Sequence, residues 1–215
     1  KQGRTFLDDC RRLGIEVEHE LHAIGELLPR ELFGRDPSMF RMDEAGQRTP
    51  DSNLCVHSTH ALEVVCENAV AVVKILRPTT GRYFFWIDDA KPMCRCPRCR
   101  ELSDSEQALL LENRLLQALR EIDPRATLAH LAYHNTLEPP VQVKPEPGIF
   151  LEFAPIQRSY QVPLSFTEQS AADPKRAAHA GLLEALDANM AVFGAENAQA
   201  LEYWLDASLF AGWKR

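Results

Sequence analysis

The segment YFFWIDDAKPMCRCPRC, residues 83–99, concentrates the reactive side chains of this chain. An apolar run ends abruptly in two adjacent carboxylates, Asp88 and Asp89, and a Cys-x-Cys-x-x-Cys cluster (Cys94, Cys96, Cys99) follows at once. A buried strand whose tip carries acids presents them to a cleft. Neighbouring residues at a strand end point in different directions, so two acids can hold two jobs. One donates a proton if burial raises its pKa; the other orients a substrate group or stabilises developing positive charge. Glycosidic cleavage needs such a pair, about 5–5.5 Å apart for retention and about 6.5–9.5 Å for inversion. The competing role is a helix cap or an ion pair with Arg82, Lys91 or Arg95.

Other candidates recur at the ends of apolar runs. Glu152 interrupts IFLEFAP, a costly place for a carboxylate unless it faces an opening or an ion such as Arg158 or Lys144. Tyr133 and His134 follow LAHLA, His22 follows VEHEL, and Tyr203, Trp204 and Asp206 close the chain's last apolar run. Aromatic faces stack on the apolar face of a pyranose, although a strand Trp commonly serves the core. His57 and Ser58 lack the G-x-S-x-G turn of a hydrolase nucleophile, and no cysteine stands alone with a clear histidine partner.

Cysteines stand at 10, 55, 66, 94, 96 and 99. Three thiols packed so closely suit metal coordination better than a disulfide scaffold, which a chain of this size does not need. Zinc takes four ligands, so folding must bring a fourth from Cys55, His57, Asp89 or Cys10. An all-cysteine set implies structural zinc rather than a catalytic ion, and no cofactor is required for the carboxylate chemistry. Thiols that merely shape a turn are the alternative.

These residues need a frame. Helical patterns cover 5–13, 59–76, 105–121 and 174–193, with Ser58 or Thr59 and Ser103 or Ser105 as caps. Strand patterns cover 15–21, 53–57, 82–87, 127–133, 149–154 and 200–206. Alternating strands and helices predict an α/β fold with parallel strands. About six strands in 215 residues fall short of a closed (β/α)₈ TIM-type barrel of about 250 residues. The expectation is one partial barrel over 1–215, its missing strands supplied elsewhere. The first residue is not Met, which suggests a piece of a larger protein. A doubly wound sheet is the rival, but no G-x-G-x-x-G or P-loop follows any strand.

Hydrophobic residues make up 45% and charged ones 26%, ordinary for a globular core. The net charge of −7 opposes general nucleic-acid binding, despite the local Arg95, Arg98 and Arg100. No apolar run reaches the roughly 20 residues of a membrane span. A soluble domain is the expectation, with cytoplasmic, periplasmic and secreted compartments all left open.

The segments EVEHELHAIGELLPRELFGRDPSMFR, NLCVHSTHAL, WIDDAKPMCRCPRC, LAYHNTLEPP, FAPIQRSY and EYWLDASLFAGWKR, in that order, resemble the landmarks of a bacterial family. It consists of glycoside-hydrolase-like barrels long labelled a domain of unknown function. The resemblance implies a TIM-type barrel acting on glycans, similar to endo-β-N-acetylglucosaminidases of complex N-glycans. There the substrate's acetamido group is the nucleophile, one carboxylate steers it and a neighbour protonates the leaving oxygen, so the reaction retains configuration. Those roles would fall on Asp88 and Asp89; by the reading of the residues themselves, Glu152 or Asp206 would support charge. His22, Tyr133, Arg158, Tyr203 and Asp206 would line the pocket. Such barrels commonly carry Asp-Glu where this chain carries Asp-Asp, one methylene shorter. A non-catalytic sugar-binding barrel is the alternative, and a metal-dependent hydrolase built on the cysteines is a third.

Overall fold

The computed structural model describes residues 2–165, 172–177 and 179–203. Five parallel strands form one sheet in sequence order: β1 (Glu20–His22), β2 (Arg82–Trp86), β3 (Thr127–Ala132), β4 (Ile149–Phe153) and β5 (Gln199–Ala200). Among the described residues the sheet is open. Helix α1 (Gln2–Arg12) precedes it. Helices α2 (Ile24–Leu27) and α3 (Thr59–Val73) join β1 to β2, α4 (Asp104–Arg120) joins β2 to β3, and α5 (Pro174–Ala177) and α6 (His179–Phe193) join β4 to β5.

The helices start where the sequence offers caps. Ser58 Oγ accepts the Ala61 N–H at 3.3 Å. Ser103 Oγ accepts the Glu106 N–H at 3.1 Å, and Glu106 Oε2 accepts the Ser103 N–H at 2.8 Å, a closed capping box. The second oxygen of Glu106 takes the Gln142 N–H at 2.6 Å, so one acid ties the start of α4 to the Pro-rich connection before β4.

Strand alternation divides the side chains between two faces. Tyr83, Phe85 and Ile87 enter a core with Val65 and Ala69 of α3 and Leu109, Leu115 and Leu116 of α4. Ala132, Leu151 and Phe153 pack against Ala185, Leu186 and Met190 of α6. The opposite face gathers Phe84, Trp86, Ala129, Leu131 and Phe150, joined by Tyr133, Leu201 and Tyr203 and by no helical residue among those described. Arg82 lies over the Phe150 ring at 4.5 Å and bonds Gln199 on this second face.

Three strand expectations change. The run 15–21 keeps only Glu20–His22, because Val17 turns aside to exchange hydrogen bonds with Thr79. The run 53–57 is no strand: Asn53 has φ of 45°, and the backbone there is spent on Arg30, Asp88 and Met39. The count is therefore five described strands rather than six. The last, expected over 200–206, is Gln199–Ala200, and residues 204–206 lie outside the described residues.

Candidate carboxylate site and cysteine cluster

Two long connections meet at the C-terminal ends of β1 and β2. One runs from β1 to α3 and brings Arg30, Asn53 and Cys55; the other runs from β2 to α4 and brings Asp88, Asp89 and the remaining clustered cysteines. Asp88 is their anchor. Its Oδ1 accepts the Gly25 N–H at 2.8 Å, and its Oδ2 accepts the Asn53 N–H at 2.6 Å and Arg30 Nη2 at 3.1 Å. Asn53 returns the bond: its Oδ1 accepts the Asp88 N–H at 2.9 Å. Its Nδ2 donates to the carbonyls of Lys91 and Pro92 at 3.2 and 3.0 Å. Both Asp88 oxygens are thus committed to protein donors, and the ion pair is with Arg30 rather than Arg82, Lys91 or Arg95.

Asp89 is placed otherwise. Its side chain is 62% exposed, and Oδ1 lies 3.8 Å from His22 Nε2. His22 Nδ1 lies 2.7 Å from the Ile87 carbonyl. A carbonyl can only accept, so Nδ1 carries a proton and Nε2 is the ring nitrogen turned to Asp89. The His22 ring meets Trp86 edge-on at 5.1 Å and Tyr133 at 6.5 Å. Burial raises the Tyr133 phenol pKa, and the Asp89 carboxylate adds to the rise. Burial likewise raises Tyr203, with Tyr133, Tyr160, Asp89 and Glu152 contributing. His22, Asp89, Tyr133 and Tyr203 therefore form one neighbourhood.

Glu152 of β4 acts on the same Tyr203. Strand register pairs His22 with Trp86, Leu131 with Glu152, and Glu152 with Gln199. Glu152 is fully buried, and its Oε1 accepts Gln199 Nε2 at 2.6 Å. Its Oε2 and the Trp86 indole N–H are both buried and lack a close hydrogen bond among the described residues, yet the indole is near enough to favour the charged carboxylate. Burial pushes the Glu152 carboxyl up to about 7, helped by the charge of Glu20 and opposed by Gln199, Trp86 and Arg82. A carboxyl in that range exchanges protons near neutrality.

The remaining expected positions are dispersed. His134, at φ 48°, packs edge-on against Tyr133 at 4.3 Å and meets Gln157 at 3.3 Å. Arg158 pairs with Glu202 and lies over the Tyr160 ring at 5.2 Å, which occupies its charge internally. Trp204 and Asp206 lie outside the described residues. Arg30, Asn53, Trp86 and Gln199 are not among the candidates the sequence singles out: their residue types do not mark them, and only register or loop path gives each its partner.

Cys94, Cys96 and Cys99 do converge, and Cys55 answers for the fourth position; all four are buried. Their sulfurs lie within 4.8 Å of one another, and Cys55 Sγ is 3.8 Å from both Cys96 and Cys99. Four sulfurs about 2.3 Å from a tetrahedral zinc are about 3.8 Å apart, so the donor set fits. Cys94 Sγ accepts the Met42 N–H at 3.3 Å and Arg48 Nη1 at 3.6 Å, donors that favour thiolate. Gln107 of α4 accepts from the Cys94 N–H and donates to the carbonyls of Cys94 and Cys99, each at 3.2 Å. Hydrogen bonding from Cys94 and Cys99, with Arg48, holds Cys55 well below the ordinary thiol range despite burial. The cluster could hold a metal ion. With four sulfurs and no exposed approach it has no open coordination position, which argues against the metal-dependent hydrolase.

A family model described as a domain of unknown function (DUF4838) matches residues 8–178. The chain belongs to this family. The match takes in the anchor, the cysteine cluster and β1 to β4. No curated protein matches the chain. No helix among the described residues is long and apolar enough to cross a membrane.

Proposed function

We propose that this chain is a glycoside-hydrolase-like domain whose substrate lies against the helix-free face of the sheet, at the C-terminal strand ends. The observation that carries this reading is the grouping of Asp89, His22 and Tyr133, with Tyr203 within electrostatic reach of Asp89, Tyr133 and the buried Glu152. The strand order supports a barrel wall. The strands follow one another without reversal, and α3, α4 and α6 pack on one face. A doubly wound sheet would reverse order and carry helices on both faces. A (β/α) barrel turns its helix-free face inward and puts its site at these strand ends.

In this reading Asp89 is the proton donor to the leaving oxygen. His22, its Nδ1–H fixed on the Ile87 carbonyl, shares the proton through Nε2. Asp88 is a positioning residue that holds the turn, since its oxygens are occupied. Tyr133 and Tyr203, half-buried over Trp86 and its core neighbours, offer rings and hydroxyls to a sugar, and Glu152 stabilises positive charge when ionised. A β-N-acetylglucosaminide would bring its own acetamido nucleophile, in keeping with the resemblance to N-glycan-cleaving barrels. The cysteine cluster, in the same proposal, holds a structural zinc ion.

The test is release of aryl alcohol from β-N-acetylglucosaminides, and of glycan from N-glycoproteins, by the parent chain and by Asp89→Asn. Activity that falls about 100-fold or more in the variant supports the assignment, in the range expected for loss of a general acid. Full activity in Asp89→Asn removes it. A second reading, a sugar-binding domain without turnover, is favoured by the complete engagement of Asp88 and the exposure of Asp89. It predicts heat of binding with N-acetylglucosamine oligomers and no product.

A further inference from the structure

We infer that the four-cysteine cluster is a metal-held latch: the ion sets the conformation of the 88–92 turn, and so the position of Asp89, without touching either carboxylate. The inference rests on the zinc reading of the cluster and is independent of the glycosidase reading.

The argument follows the two chains that leave the Asn53 clamp. Asn53 grips the turn at three places, the Asp88 N–H and the carbonyls of Lys91 and Pro92. Two residues beyond Asn53 stands Cys55, and two beyond Pro92 stands Cys94. Both strands of the clamp therefore run straight into metal ligands. An ion shared by Cys55 and Cys94 ties the two connections together immediately behind the clamp.

Besides the Asn53 clamp, core packing of Leu54 and Met93 and the Gln107 bonds to Cys94 hold these segments in place. Neither belongs to a regular element. Asn53 adopts φ of 45°, a conformation that costs energy in a non-glycine residue and persists where its surroundings enforce it. Cys55 N–H bonds the Met39 carbonyl at 2.9 Å, and Arg95 N–H bonds the Met42 carbonyl at 2.8 Å, so the 39–42 segment lies beside both ligand-bearing stretches. Four buried sulfurs carry this junction. Without an ion, thiolates crowded within 4.8 Å of one another repel. Binding a divalent ion to four thiols releases their protons and converts that repulsion into four bonds.

The test combines metal analysis with amide hydrogen exchange on the intact chain. Bound zinc of one ion per chain is expected, lost in Cys55→Ser and in Cys94→Ser. Removing it from the wild-type chain with a chelator should speed exchange over 53–56 and 88–94 by about tenfold or more, while β3 and β4 stay protected. Re-adding zinc should restore the slow rates. Asn53→Ala should keep the ion yet loosen 88–92. If the chain binds no zinc, the metal reading fails and the latch with it. If it binds zinc but exchange over 88–94 is unchanged on removal, or if the whole sheet unfolds together with that segment, the latch alone is overturned. Chelation of the wild-type chain decides the matter even where a cysteine variant fails to fold.

Discussion

Asn53 and Asp88 bond each other twice, backbone to side chain in both directions: Asn53 N–H to Asp88 Oδ2 at 2.6 Å, and Asp88 N–H to Asn53 Oδ1 at 2.9 Å. Residues thirty-five apart in sequence thus close a small ring that fixes the first of the paired acids. The second acid, one residue on, is left to face His22. Adjacent carboxylates have separated into a bonded anchor and an exposed acid beside His22.

Asn53→Ala removes three side-chain hydrogen bonds and leaves alanine at a positive φ. A loss of about 2–4 kcal/mol is expected from those two causes. Asn53→Gly relieves the backbone and should cost less than the alanine variant. Urea unfolding of both variants checks the order.

Asp88→Asn and Asp89→Asn should separate by observable. Asp88→Asn weakens bonds to Arg30, Gly25 and Asn53 in a half-buried site, so it lowers the unfolding midpoint. Asp89 is 62% exposed, with His22 at 3.8 Å and the Tyr133 phenol nearby, so its variant should leave stability within about 0.5 kcal/mol and act on turnover. Thermal unfolding beside kcat on the same samples tests this; equal destabilisation by both would contradict it.

Glu152 gives stability a pH dependence. Burial lifts its carboxyl from the ordinary 4.5 to about 7, so between these values the folded chain holds a proton that the unfolded chain has released. Its contribution is intact below about 4.5 and is lost as pH rises through 7. A shift from 4.5 to about 7 corresponds to about 3 kcal/mol over that window. Glu152→Gln, neutral at every pH, should flatten this part of the profile and be the more stable chain above pH 7. Denaturant midpoints from pH 4 to 8 for both chains would show it.

Glu112 and His130 form a buried pair at 2.7 Å between α4 and β3, with Phe193 stacked on the imidazole at 4.7 Å. Glu112→Ala leaves the buried ring without its partner and should cost about 3 kcal/mol or more. Replacing both by apolar residues of similar size should cost less than either single change. A double-mutant cycle by chemical unfolding measures the coupling.

Much was legible in the sequence because it is local. The apolar run 82–87, the Ser103 cap, the paired acids and the close-set cysteines depend on residues within a few positions of one another, where periodicity and hydrogen-bond chemistry act directly. The alternation of strands and helices likewise announced parallel strands in an α/β fold. What failed was local as well: NLCVH reads as a strand by composition, yet Asn53 is bent out of the strand region by bonds to Asp88, Arg30 and the 91–92 carbonyls.

Tertiary structure decided the assignments between equivalent groups. Either acid of Asp88–Asp89 suited either job, and Cys55, His57, Asp89 and Cys10 all had suitable donor atoms for a fourth ligand. The choice came from distance, which spacing along the chain does not encode: the β1–α3 connection folds across the end of β2 and delivers Arg30, Asn53 and Cys55 together. Glu152 likewise reads as a misplaced charge until the parallel register sets Gln199 beside it and Trp86 in its row. Sequence specified which chemistries were present; the long-range path of the backbone specified which atoms came within reach of one another.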